Sequence, residues 1–198
     1  MGKLTVYNVD DDSYSKVEEP DPSVSYTYAD YLKWRFEERL ELFRGKIFKL
    51  SAPNTLHQKV SRNISGELYL YLKNNKCQSF VAPFDVRLPA KNRKKDNEVT
   101  TVVQPDICVI CDPSILDKRG CCGAPDLVVE ILSPGNFNHD LIRKKELYEK
   151  FGVTEYWVVT PETKETVGFF LKDGKYRESG HYVGKIHSVI LDNAEFEF

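Results

Sequence analysis

The chain has 198 residues, 41% of them hydrophobic and 12% aromatic, which suits one domain of ordinary size with a substantial core. Its formal net charge is -2. That excludes a strongly basic nucleic-acid binder, so any nucleic acid must be met by a local basic patch. No stretch approaches the roughly 20 apolar residues of a membrane span, and the polar, acidic start lacks the apolar core of a cleavable signal; a cytoplasmic protein is expected.

Residues 1–25 read as a loose acidic arm with room for a short strand, and residues 26–198 as a single domain. Thr27 with Asp30 three places later marks a helix entry, and a short helix is expected over Tyr31 to Phe36. Leu40 to Phe43 and Lys46 to Leu50 flank Arg44-Gly45, a hairpin signal. Leu56, Val60, Ile64, Leu68 and Leu72 recur at four-residue steps and predict a helix over 55–73. Ser79 to Leu88 reads as a strand pair or a bulged strand, and residues 91–98, with Arg93, Lys94 and Lys95, as a charged loop. Two apolar strands follow, Val102 to Cys111 and Asp126 to Leu132. A helix over His139 to Phe151 stops at Gly152, then a strand over Glu155 to Val159, and antiparallel strands turn at Asp173-Gly174. Helices interleaved with strands predict an α/β fold around a mixed sheet.

Five cysteines without a secretory signal point to reduced thiols. Cys108 and Cys111 form a CxxC, but on a strand a separation of three places the side chains on opposite faces, which suits buried inert thiols better than zinc.

The chemistry lies between the two apolar strands. Paired as an antiparallel hairpin, Asp106 to Ile110 match Glu130 back to Asp126. Asp106 then faces Glu130 with Cβ atoms about 5 Å apart. Two like charges there are destabilising unless a cation lies between them, and a hard divalent ion suits oxygen ligands. The alternative stays open: strand-end charges at the sheet rim, each with its own ion pair. Asp126, roughly 13 Å along the same strand, cannot share an ion with Glu130 and is expected to face solvent. On a helical wheel Leu141, Leu147, Tyr148 and Phe151 fall within about 60° of one direction, with Lys144 at its centre and Asp140 beside it. A lysine there either meets acids or snorkels out at the sheet edge. Asp140, Lys144 and Tyr148 step by four along one stripe, which suits a small polar network. Glu41 within LELF and His57 at the start of the long helix point the same way weakly. Their plainer readings are a half-exposed strand residue and a surface or capping histidine. Asp85 has Arg87 or a turn amide as its nearest expected partner.

At these residues the sequence resembles the bacterial Uma-type family of restriction-endonuclease-like proteins, a branch of the PD-(D/E)xK nuclease superfamily. The matching segments are LELFRGKIFKLSAPNTLHQ, APFDVRL, QPDICVI, GAPDLVVEILSPG, then Asp140, Lys144 and Tyr148, and GVTEYWVVTP, over about residues 27–178. The resemblance implies a restriction-endonuclease-like fold: a central mixed sheet flanked by helices, here with an antiparallel β extension. It implies a phosphodiester-cleaving site for DNA, in which Asp106, Glu130 and the Ile131 carbonyl hold Mg²⁺ or Mn²⁺. The superfamily lysine lies two residues after the second acid, where this chain has Leu132; the resemblance implies that Lys144 on the following helix replaces it. It also implies supporting roles for Glu41 and His57 and a possible homodimer. A catalytically inactive module for nucleic-acid or protein binding on the same fold is the alternative.

Overall fold

The structure is a computed structural model that describes residues 3–8, 13–18, 23–34, 39–90, 95–133 and 137–198. In chain order the elements are β1 (Lys3–Asn8), β2 (Ser13–Glu18), α1 (Tyr28–Tyr31), β3 (Leu40–Phe43), β4 (Lys46–Lys49), α2 (Thr55–Leu72), β5 (Gln78–Val81) and β6 (Val86–Arg87). Then come β7 (Val102–Val103), β8 (Ile107–Ile110), β9 (Leu116–Asp117), β10 (Gly120–Cys122), β11 (Leu127–Ile131) and α3 (Phe137–Phe151). The chain closes with β12 (Glu155–Thr160), β13 (Glu165–Lys172), β14 (Lys175–Val183), β15 (Lys185–Ser188) and β16 (Ala194–Glu197). They fall into two compact units, Met1–Ala52 with Arg87–Val103, and Pro53–Val86 with Gln104–Phe198.

In the first unit β1 and β2 form an antiparallel hairpin, so the expected acidic arm contains a strand pair. The first helix begins three residues earlier than the sequence suggests. The Thr27 main-chain N–H and hydroxyl both donate to Asp30 Oδ2, at 3.0 and 2.8 Å, and this cap starts the helix at Tyr28. Most of the expected Tyr31–Phe36 span is either outside the helix or outside the described residues. β3 and β4 pair as expected, and the Arg44-Gly45 turn has φ of 51° and 80°, the left-handed pair that a two-residue hairpin needs. Tyr28, Leu42, Val99 and Val102 form this unit's core.

The second unit holds a six-stranded sheet, in order β14-β13-β12-β11-β8-β5. β11 and β12 are parallel and the remaining pairs antiparallel, so the sheet is mixed. The parallel step needs a crossover, and α3 supplies it. Successive residues of a strand face opposite sides. Ile107, Val109, Leu127, Val129, Ile131, Trp157 and Val159 face one way, and pack with Val60, Ile64, Leu68 and Leu72 of α2 and with Phe196. The other face of β11 and β12 carries Glu130 and Tyr156 and meets α3 through Tyr148.

Two departures from the sequence reading have clear causes. The strand expected over Val102 to Cys111 is two strands, because Pro105 has no N–H for a ladder and interrupts it. In α2 the four-residue ladder drifts by about 40° per step. Leu56 therefore slides off the buried arc and is 39% exposed, while His57 falls on its centre and is buried.

The cysteine reading needs correction. Cys111 is not an inert thiol; it forms a disulfide with Cys77, 34 residues earlier. That bond joins the segment after α2 to the end of β8. Cys108 and Cys121 are buried free thiols and Cys122 is partly exposed. Asp126 does not point to solvent: its Oδ2 accepts the Cys111 N–H at 2.7 Å.

Candidate active site

The β8–β11 register is Leu127 with Val109, Val128 with Cys108 and Val129 with Ile107. Each pair sums to 236, so the next step sets Glu130 opposite Asp106, the register assumed from sequence. Asp106 lies one residue before β8, where Pro105 ends the ladder, and its side chain is free to turn along the rim of the sheet. There Asp106 Oδ2 accepts the main-chain N–H of Ile131 at 2.8 Å and faces His57 Nε2 at 3.2 Å. Glu130 is 8% exposed. Its Oε1 accepts the Lys144 ammonium at 3.0 Å and the Tyr148 hydroxyl at 2.6 Å. Asp106 Oδ2 thus meets α2 through His57 and β11 through the Ile131 N–H, and Glu130 Oε1 meets α3 through Lys144 and Tyr148.

Local sequence explains how each partner arrives. Asn54 caps α2 by accepting the His57 N–H at 2.8 Å, which fixes the first turn and aims the imidazole at the rim. Lys144 and Tyr148 are one turn apart on α3 and so project from one face. Gly152 ends that helix in a left-handed conformation with its N–H on the Tyr148 carbonyl at 3.0 Å. The side chains of Asp140 and Leu141 lie outside the described residues.

The electrostatics follow from this geometry. The Asp106 carboxylate bonded to His57 raises its pKa above the ordinary 6.5; burial opposes this, and the Ile131 backbone and the Glu130 charge add to it. Nδ1 of the same ring is buried with no hydrogen-bond partner among the described residues, so a second N–H placed there is unsatisfied. The two carboxylates favour the imidazolium, and burial and the orphan nitrogen oppose it. Next along β8, burial pushes the Cys108 thiol well above its ordinary 9.0, so it is not a nucleophile.

Among the described residues no three His, Cys, Asp or Glu side chains converge as metal ligands. Two carboxylates and a main-chain carbonyl are a different set, one of hard oxygens, and it suits Mg²⁺ or Mn²⁺ in chemistry. The described contacts of Asp106 are all on Oδ2. Ile131, expected to contribute its carbonyl, here donates its N–H to Asp106. Glu41 lies in β3 of the first unit, opposite Phe48, and is buried rather than half-exposed. Arg93 and Lys94 of the charged loop fall outside the described residues. Asp85 Oδ1 accepts the Gln104 amide at 2.9 Å, and its carbonyl accepts the Cys121 N–H. A Cβ at Gly120, which has φ of 124°, would collide with that carbonyl.

Sequence reasoning brought Lys144 to Glu130 and set Tyr148 in the same stripe, but did not assign three contacts: His57 with Asp106, Tyr148 with Glu130 and the Ile131 N–H with Asp106. The contact of His57 with Asp106 had a signal, the central position of residue 57 on the buried arc of α2. The Tyr148 bond had one too, the four-residue step from Lys144. The Ile131 N–H had none, because main-chain donors leave no mark on composition.

Residues 28–191 match the family Uma2, described as "Putative restriction endonuclease". An uncharacterized protein of Synechocystis sp. is 25% identical over 146 residues, 73% of each chain. The crystal structure of a "putative nuclease belonging to DUF820" from Anabaena variabilis superposes with a TM-score of 0.60 at 19% identity. It covers 77% of this chain and 83% of its own, and shows the shared fold. With the mixed sheet, the crossover helix and the rim acids in place, this chain belongs to the Uma2 restriction-endonuclease family.

Proposed function

We propose that the chain is a metal-dependent endonuclease that hydrolyses phosphodiester bonds of DNA at a variant site whose lysine stands on α3. The observation that supports this is the Lys144 ammonium 3.0 Å from Glu130 Oε1, with Asp106 at the opposed position of the neighbouring strand. Asp106, Glu130 and the Ile131 carbonyl would hold Mg²⁺ or Mn²⁺. Such an ion, when bound, polarises a phosphate and lowers the pKa of a bound water. The Ile131 N–H keeps Asp106 turned to the rim, and His57 supplies a compensating donor beside it. Lys144 places positive charge where the phosphorane oxygens gain negative charge, or orients the attacking water.

The test is a cleavage assay on duplex DNA, single-stranded DNA and RNA, with and without Mg²⁺ or Mn²⁺. Asp106→Ala is expected to abolish divalent-dependent cleavage with the fold intact, and an undiminished rate refutes the assignment. Lys144→Met is expected to lose activity at near-normal stability. A collapsed melting temperature would make Lys144 a packing residue instead.

One observation favours a second reading, a non-catalytic binding module: both acids already have protein partners, Asp106 in His57 and Glu130 in Lys144. On that reading the wild type binds nucleic acid without cutting it under any divalent ion.

A further inference from the structure

Tyr148 is the member of the rim cluster to which the proposed chemistry gives no task. Its hydroxyl donates to the same Glu130 oxygen that Lys144 holds, and at 2.6 Å it is the shorter of the two bonds. The two donors differ in physical character. Tyr148 is fully buried, and its ring centre lies 5.2 Å from that of Tyr156, also fully buried. Tyr156 in turn stacks on Phe169 and Tyr176, at 6.1 and 6.0 Å. A phenol has only two side-chain torsions, and neither turns here without displacing that aromatic column. Lys144 ends a flexible four-carbon stem and is partly exposed. An ammonium that serves a phosphate shares its three N–H donors between that phosphate and Glu130 Oε1, and its hold on the carboxylate loosens. Something else must then keep the carboxylate in place.

We propose that Tyr148 is the positioning residue of the acid pair, pinning Glu130 through Oε1 so that the carboxylate keeps its direction when Lys144 turns to substrate. The part about substrate rests on the nuclease reading; the pinning of Glu130 does not. Tyr148 and Lys144 therefore divide two tasks that a strand-borne lysine would combine. A hydrogen bond from a buried phenol to a ligating carboxylate is the kind of outer contact whose loss costs about 10–100-fold in metal affinity.

Tyr148→Phe tests this, because it removes one oxygen and keeps the ring that packs on Tyr156. Calorimetric titration with Mn²⁺ alone is expected to show affinity lower by about tenfold or more in Tyr148→Phe, and a smaller change in Lys144→Met. Equal Mn²⁺ affinity in wild type and Tyr148→Phe overturns the proposal, and so does a larger loss in Lys144→Met. Metal-free crystal structures of Lys144→Met and of the Lys144→Met/Tyr148→Phe double variant give an independent readout. A Glu130 carboxylate that keeps its wild-type position in Lys144→Met and swings in the double variant supports the pinning, and one that stays put in both sinks it. A wild type that binds no Mn²⁺ defeats the nuclease reading, while the paired crystal structures still decide the role of Tyr148.

Discussion

Four donors close on the Glu155 carboxylate. The Trp157 indole N–H and the Val189 main-chain N–H reach Oε1 at 2.7 and 3.2 Å; the Ser188 hydroxyl and the Ile190 N–H reach Oε2 at 2.9 and 3.0 Å. Burial nevertheless raises its pKa above the ordinary 4.5, against the pull of those donors. Glu130, on the next strand, has an ammonium for company; among the described residues the donors to Glu155 are neutral dipoles. Glu155 therefore reads as a structural acid that ties β12 to the turn after β15. Replacing it with Gln leaves N–H groups facing an amide that cannot accept from all four, at a cost of about 1–3 kcal/mol. The pH sign follows from the raised folded pKa. The group's contribution to stability is full below about 4.5 and is lost as pH rises through the higher folded value. Urea melts across pH should show the gap between wild type and Glu155→Gln narrowing as pH rises through that window. A gap that widens would mean that the donors outweigh burial.

At the scale of elements, the disulfide carries more than its own bond. β5 is the edge strand of the main sheet, and its neighbour β8 leads out of Asp106. Cys77 and Cys111 close the far end of that pair and hold the segment after α2 to it. Closing a loop of this length restricts the unfolded chain by about 2–4 kcal/mol. Cys77→Ser is expected to lower stability by that order, read as a fall in the denaturation midpoint with an unchanged slope. A thiol reductant should reproduce the effect in the wild type and leave the variant unmoved. An identical midpoint in all three would show that the bond contributes nothing to stability. The docking of α3 is secured differently: Glu149 accepts from Lys175 at 2.8 Å and from the Tyr176 N–H at 2.7 Å, tying the helix to β14.

At the scale of the whole molecule, the net charge of -2 sets how it can meet a polyanion. Without a divalent ion the net charge supplies no broad positive field to draw DNA in, so affinity in EDTA is expected at the non-specific level, Kd on the order of 10⁻⁴–10⁻⁶ M. Mn²⁺ should tighten it. Fluorescence anisotropy on a labelled duplex checks this, and tight, steeply salt-dependent binding in EDTA would contradict it. The sequence made much of the relevant architecture legible where periodicity was strong. α2, the Arg44-Gly45 hairpin, the end of α3 at Gly152 and the β8–β11 register each follow from spacing or turn chemistry. It failed where one residue overrode a pattern. Pro105 split a strand, and a disulfide between residues 34 apart had no local trace; the Thr27 cap was legible, but the helix was set three residues beyond it. In the candidate site, Lys144 was visible because a basic residue at the centre of an apolar stripe is anomalous. His57 was harder to place, because a four-residue ladder draws attention to Leu56 beside it.

The crossover helix has one more consequence. A lysine on the same strand as its acid is locked to it by the pleat and cannot move alone. Here the ammonium rides on a separate rod, and sliding that rod by one residue's rise, about 1.5 Å, displaces the root of its side chain relative to the sheet. The two acids, anchored in the sheet, would not follow. Because Tyr148 rides the same rod as Lys144, a substitution that shifts α3 along its axis moves the balancing charge and the hold on Glu130 together, while Asp106, which meets His57 and the Ile131 N–H, is left as it was.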